Sequence, residues 1–162
     1  MQALLQPLSK LGEYEEIKNR IEKNRGILQL AGCIDSQKAH VIYGLGQEKK
    51  NRLVIAENEL KAKELYEDLK FYYPDVFYYP ARDLIFFEAD IHGNLLIRQR
   101  MKVIRALLEE KELTVVTSID GCMDFLEPLE KIKSQLIHYE NDSTIDMDQL
   151  KNKLVDLGYE RV

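Results

Sequence analysis

The sequence predicts an α/β fold, a three-layer arrangement around a mainly parallel sheet, followed by the start of a smaller second domain. Three observations carry this reading. Short apolar runs alternate along the chain with longer segments of helical periodicity, the order expected of β-α units. The runs "RLVIA" and "ELTVVTS" are rich in apolar and β-branched residues and read as strands buried on both faces. The composition then becomes polar after about residue 133, and the C-terminal stretch gives only one strand and one helix. One strand and one helix cannot bury two faces alone. The expected division is therefore 1–133 and 134–162.

From the N-terminus, Glu13 to Asn24 is charged, with Ile17 and Ile21 four apart, and reads as a surface helix ended by Gly26. "ILQLAG", Ile27 to Gly32, reads as the first buried strand. Asp35 to Leu45 reads as a helix opened by Asp35 or Ser36 and stopped by Gly44 and Gly46. Arg52 to Ala56 is the next strand. Asn58 is placed to cap a helix over Glu59 to Tyr72, with Leu65 and Leu69 on one face and Pro74 preventing continuation. Val76 to Pro80 is a strand, and Leu84 to Asn94 a connection. The helix over Leu95 to Glu110 has the clearest stripe, Ile97, Met101, Ile104 and Leu108. Glu112 to Ser118 is a strand, and Asp120 to Leu126 a short helix closed by Pro128. Gln135 to Tyr139 reads as a strand. Asp146 and Gln149 stand at capping-box spacing before a helix with Leu150, Leu154 and Leu157 on its stripe and Gly158 at its end.

Composition excludes some classes. The 162 residues are 45% hydrophobic and 31% charged, with a formal charge of -5. Lysines and arginines are scattered, which argues against a dedicated nucleic-acid-binding domain. Cys33 and Cys122 lack metal-ligand spacing and read as buried small apolar residues in a reducing compartment. No apolar run reaches membrane-spanning length, and the N-terminus lacks a signal-peptide pattern. The expectation is a cytoplasmic protein with no membrane contact.

The stretch "LQLAGCIDSQKAHVIYGL" carries the functional question. A phosphate-binding loop needs G-x-x-x-x-G-K-[ST] between a strand and a helix. Its glycines let backbone N–H groups curl around phosphate, its lysine neutralises the outer phosphates, and its hydroxyl holds magnesium. Gly32 and Lys38 fit. Gln37 stands where the second glycine belongs, Ala39 supplies no metal ligand, and Asp35 puts a negative charge inside the cradle. The later strand "LTVVTS" leads to Ile119-Asp120-Gly121, a lone carboxylate without its usual partner. The reading is a degenerate P-loop NTPase lobe that has lost hydrolysis, with an ordinary β-α turn as the plain competitor. Both predict no catalytic residues, no bound cofactor and no metal. The rival classes are a divergent but active helicase or NTPase lobe, and a DNA-binding module.

The resemblance extends beyond this loop. "RLVIAENELKAKELYEDLKFYYPDVFYYPARD" and "RQRMKVIRALLEEKELTVVTSIDGCMDFLEP" resemble the N-terminal region of the bacterial transcription-repair coupling factors (Mfd). That region is itself similar to the first domain of the excision-repair protein UvrB. The shared features are a Q-R pair near a helix start, here Gln99-Arg100, and the strand it leads into, here Val115 to Ser118. The similarity runs from Leu11 to Val162, where "LVDLGYERV" resembles the helix opening the second domain. UvrB has an intact phosphate loop and a long aromatic hairpin. The segment between Tyr79 and Leu95 is too short for that hairpin. The resemblance implies a UvrB-like docking platform for UvrA that does not hydrolyse nucleotide, with its UvrA contacts beyond Val162. It implies that this chain is an N-terminal fragment. An ATP- and magnesium-dependent DNA translocase that displaces stalled RNA polymerase, with the contacts to polymerase and DNA, would lie in other domains.

Remaining candidates have plainer readings. Arg98, Arg100, Lys102 and Arg105 read as a solvated helix face rather than a nucleic-acid stripe. The aromatics Phe71, Tyr72, Tyr73, Phe77, Tyr78, Tyr79, Phe86 and Phe87 read as core and interface packing rather than base-stacking surfaces. His40, His92 and His138 show no triad or ligand spacing. Asp83, Glu88 and Asp90 do not converge into a metal site.

Overall fold

The computed structural model describes residues 2–23, 26–47, 49–82, 90–137, 144–156 and 159. The elements in chain order are α1 (Gln2–Ser9), α2 (Tyr14–Glu22), α3 (Asp35–Leu45), β1 (Arg52–Ala56), α4 (Glu59–Leu69), β2 (Val76–Tyr79), α5 (Asp90–Leu108), β3 (Thr114–Ser118), α6 (Ile119–Met123), α7 (Leu129–Gln135) and α8 (Met147–Asp156). They fall into two units, Met1–Phe125 and Leu126–Val162. This division lies ahead of residue 133, so α7 belongs to the second unit.

The first unit is α/β. Its sheet has three strands, all parallel, in the order β1-β3-β2. The register pairs Val54 with Val116 and Tyr78 with Val116. Because side chains alternate along a strand, Val54, Ala56, Val116, Val76 and Tyr78 share one face. That face packs against Ala39 and Tyr43 of α3 and Ala62, Leu65 and Leu69 of α4, and this is the core. Asn58 caps α4, its Oδ1 accepting from the Lys61 N–H at 2.9 Å.

The other face is covered unevenly. α5 packs on β2 and buries Val103, Ile104 and Ala106. On β1 of the same face, Leu53 is 64% and Ile55 51% exposed. The sequence stripe meets the core only in part, with Ile104 buried and Leu108 half-buried. Ile97 and Met101 are 60% and 50% exposed, while Arg100 and Val103 are buried. Those two residues lie about 100° around the helix from the apolar stripe. α5 also begins at Asp90, within the expected connection; residues 83–89 of that connection lie outside the described residues.

Three further expectations are corrected. "ILQLAG" forms no strand: residues 27–31 have no regular structure, and Ile27 is 96% exposed. A short apolar run needs a neighbouring ladder to become a strand, and residues 27–31 pair with none of the three strands. Gln135 ends α7, and Leu136 and Ile137 are irregular, so these three residues form no strand; His138 and Tyr139 lie outside the described residues. Gly44 does not stop α3 but lies within it. A Cβ there would collide with Leu8 Cδ1 and stand 2.9 Å from the Tyr14 hydroxyl, so its bare backbone lets α1 and α2 pack against α3.

In the second unit, Asp146 caps α8 as its spacing predicts. Its Oδ1 accepts from the Asp148 N–H at 2.9 Å and the Gln149 N–H at 3.2 Å. Leu150 and Leu154 are half-buried; Leu157 and Gly158 lie outside the described residues.

Candidate functional site

The turn that resembles a phosphate loop runs from Gly32 into the first turn of α3. Gly32 adopts φ +83°, a left-handed conformation that suits glycine. Gln37 donates its backbone N–H to the Ile34 carbonyl at 2.9 Å, turning that amide into the helix rather than toward a ligand. Asp35 is the first helical residue, and the N-cap position before it is Ile34, which makes no side-chain cap hydrogen bond.

The Asp35 carboxylate is engaged by two lysines. Lys38 donates from Nζ to Asp35 Oδ1 at 2.7 Å, and Lys61 of α4 from Nζ to Oδ2 at 3.2 Å. Lys61 also donates to Glu64 at 2.9 Å. Hydrogen bonding from Lys38, and then from Lys61, holds the Asp35 carboxyl below the ordinary aspartate range. The same bond raises Lys38, while Glu64 first and Asp35 second raise Lys61. All three side chains are well exposed, so solvent screens the network and its effect on stability is small. A carboxyl with a depressed pKa contributes stability above its unfolded value and loses it as pH falls through the folded one. In an NMR titration the Asp35 carboxyl is therefore expected to reach its midpoint below 3.8. Replacing Lys38 with Ala should move that midpoint upward; no movement would show that the pair does not form in solution.

Ala39 points the other way. It is buried in the core cluster with Tyr43 and Ala62, so this position offers nothing to a metal in the turn. Among the described residues, no three His, Cys, Asp or Glu side chains gather as metal ligands. Asp83 and Glu88 of the small acidic group lie outside the described residues.

The turn borders a cleft of about 400 Å³ between α3, α4 and β1. Its walls include Ile42, Val54 and Leu65, and its rim carries Asp35, Glu57, Glu64 and Asp68 against Lys38 and Lys61. Four carboxylates facing two ammonium groups, both already paired, make a poor receptor for a triphosphate.

Ligands of open parallel sheets sit outside the carboxyl ends of the strands. Here much of that end is filled by the chain's own side chains. Glu59, at the start of α4, accepts from the Ser118 and Tyr78 hydroxyls and from the Ala81 N–H. Burial, and then Glu59, drives the Tyr78 phenol well above its ordinary pKa. Beside it, Arg100 donates to the Pro80 carbonyl at 2.8 Å, Asp124 Oδ2 at 2.6 Å and the Tyr79 hydroxyl at 2.6 Å. Its guanidinium carbon lies 4.1 Å from the centre of the Tyr79 ring.

Arg100 thus does not belong to a solvated stripe; it is 6% exposed. Arg98, Lys102 and Arg105 are exposed, and Arg105 pairs with Glu109 at 2.8 Å. Tyr73 is buried, Tyr72, Phe77, Tyr78 and Tyr79 are half-buried, and Phe71 is exposed; Phe86 and Phe87 lie outside the described residues. The His40 ring stacks on Tyr72 with centroids 5.7 Å apart. Cys33 is half-buried in the cleft wall, but Cys122 is exposed on α6, against expectation. Sequence reasoning missed Glu59 and Lys61. An acidic residue at a helix start is ordinary dipole chemistry, and nothing local signals that Lys61 meets a carboxylate 26 residues earlier.

No family model matches the chain. It is 29% identical over 117 residues to the transcription-repair-coupling factor of Staphylococcus haemolyticus, covering 71% of this chain and 10% of that protein. It is 32% identical over 149 residues to UvrABC system protein B of Treponema pallidum, covering 82% of this chain and 22% of that protein. The coupling factor of Staphylococcus aureus is 27% identical over 117 residues. The chain thus spans between 10% and 22% of the length of these relatives. With its small parallel sheet, the chain is UvrB-like. Its matches place it with the N-terminal UvrB-like module of the transcription-repair coupling factors. Among the described residues, no helix is long and apolar enough to cross a membrane.

Proposed function

We propose that this chain is a non-hydrolysing adaptor, a UvrB-like platform for UvrA on a degenerate P-loop NTPase lobe. The observation that carries this is Asp35, which pairs with Lys38, the lysine of the loop pattern, and with Lys61 of α4. The core position of Ala39 and the crowded carboxyl end of the sheet support it. On this reading ATP and magnesium serve a motor outside these 162 residues, as do the contacts to RNA polymerase and DNA. A DNA-binding role for the module itself fits less well. Of the four basic residues of α5, Arg100 is buried and Arg105 is paired with Glu109, which leaves only Arg98 and Lys102 on an exposed face.

The test is the affinity of UvrA for the protein that carries this module. UvrA is expected to bind, and Lys38→Ala to leave the affinity unchanged. No binding by UvrA would remove the docking role. A loss of affinity in Lys38→Ala, with the fold intact, would mean that the turn is a working site.

A further inference from the structure

β1 pairs with β3 on one side, and among the described residues no strand lies on its other side. An unpaired edge presents N–H and C=O groups that an added extended segment satisfies. Val54 to Glu57 of this edge line the cleft beside α3 and α4. The two sides of the edge are apolar in different ways. Toward the cleft lie Ile42, Val54 and Leu65; on the opposite face lie the exposed side chains of Leu53 and Ile55. A strand laid along β1 would place alternate side chains on each.

The charge of the rim selects the occupant. Asp35 and Glu64 are paired with Lys38 and Lys61. The carboxylates of Glu57 and Asp68 make no ion pair or hydrogen bond with a described residue. The surplus at this edge is therefore negative. A basic segment complements it, whereas an acidic one or a nucleic acid is repelled.

We propose that the free edge of β1 is a docking site for an extended segment of a partner protein, apolar along its length and flanked by lysine or arginine. Backbone hydrogen bonds to β1 supply the binding. The apolar residues fill the cleft and cover Leu53 and Ile55, and the basic flank meets Glu57 and Asp68. This surface adjoins the turn at Gly32 to Lys38, since Asp35 and Lys38 stand on the same rim, but the proposal requires neither nucleotide nor UvrA, so the peptide titration can fail while UvrA still binds.

The probes are two threonine- and valine-rich synthetic peptides, one flanked by lysines and one by glutamates. A third is the lysine peptide N-methylated at alternate backbone nitrogens. Fluorescence anisotropy is expected to show the lysine peptide binding about tenfold or more tighter than the glutamate peptide, and methylation abolishing the binding. Hydrogen exchange should slow at the β1 amides that do not pair with β3. Glu57→Lys combined with Asp68→Lys should reverse the preference between the charged peptides. Equal binding of both charged peptides, tolerance of N-methylation, no binding, or protection confined to other amides would overturn the proposal. Sedimentation showing that a second copy of the chain already occupies this edge would overturn it too.

Discussion

Arg100→Ala is expected to destabilise the Met1–Phe125 unit by about 3–5 kcal/mol, the cost of breaking a buried, hydrogen-bonded ion pair from one side. The guanidinium joins three segments. It holds the Pro80 carbonyl after β2, the Asp124 carboxylate after α6 and the Tyr79 hydroxyl. Its removal leaves the partly buried Asp124 carboxylate without its cation and takes the cation from the face of Tyr79. Lysine is no replacement, because an ammonium cannot reproduce a planar fork aimed at three acceptors and stacked on a ring. Thermal melts should place Arg100→Lys between the wild type and Arg100→Ala. A melt of Arg100→Ala within about 1 kcal/mol of wild type, a typical surface effect, would show that these contacts do not hold α5 and α6 to the sheet.

Glu59→Ala is expected to cost about 3 kcal/mol, because it leaves several donors at the end of the sheet without their acceptor. Those donors are the Ser118 and Tyr78 hydroxyls and the Ala81 N–H. Ser118 has a second role, its Oγ accepting from the Gly121 N–H at 3.0 Å to start α6. The loss therefore reaches α6 as well as β2. Glu59→Gln should cost less, since its amide oxygen still accepts while its nitrogen cannot. A tyrosine titration gives an independent readout: without Glu59 the Tyr78 phenol should ionise closer to its ordinary value, though burial, the larger cause, keeps it raised. An unaltered Tyr78 titration would sink the assignment.

Both hubs show what the sequence reveals and what it does not. The three strands were legible because continuous apolar runs between polar segments have few alternatives in a chain of this size. The caps at Asn58 and Asp146 were legible because capping is local, settled within three residues. The departures of Asp35, Gln37 and Ala39 from the phosphate-loop pattern were visible for the same reason, since that pattern is defined by spacing alone. The hidden features depend on contacts between distant segments. Lys61 meets Asp35 only because α3 and α4 lie side by side on one face of the sheet. Arg100 is buried because the end of β2 and the end of α6 present three acceptors to it. A helical stripe says which residues share a side, not which side meets the sheet. Hence Ile97 and Met101 looked like core and face solvent, while Val103 and Arg100 are buried. "ILQLAG" failed for a related reason, since apolar character provides a strand's side chains but not its ladder partner.

The most direct measurement of the account is a calorimetric titration of the chain with ATP and magnesium, run on the wild type and on Lys38→Ala. The expected result is no saturable heat in either protein and no nucleotide-dependent rise in melting temperature. Ligand at a hundred times its dissociation constant would raise stability by about 2.7 kcal/mol, so a low-affinity site driven to saturation would also be seen in the melt. Saturable binding at one site in the wild type, lost in Lys38→Ala, would contradict it: the lysine that Asp35 holds would then be free to grip a phosphate.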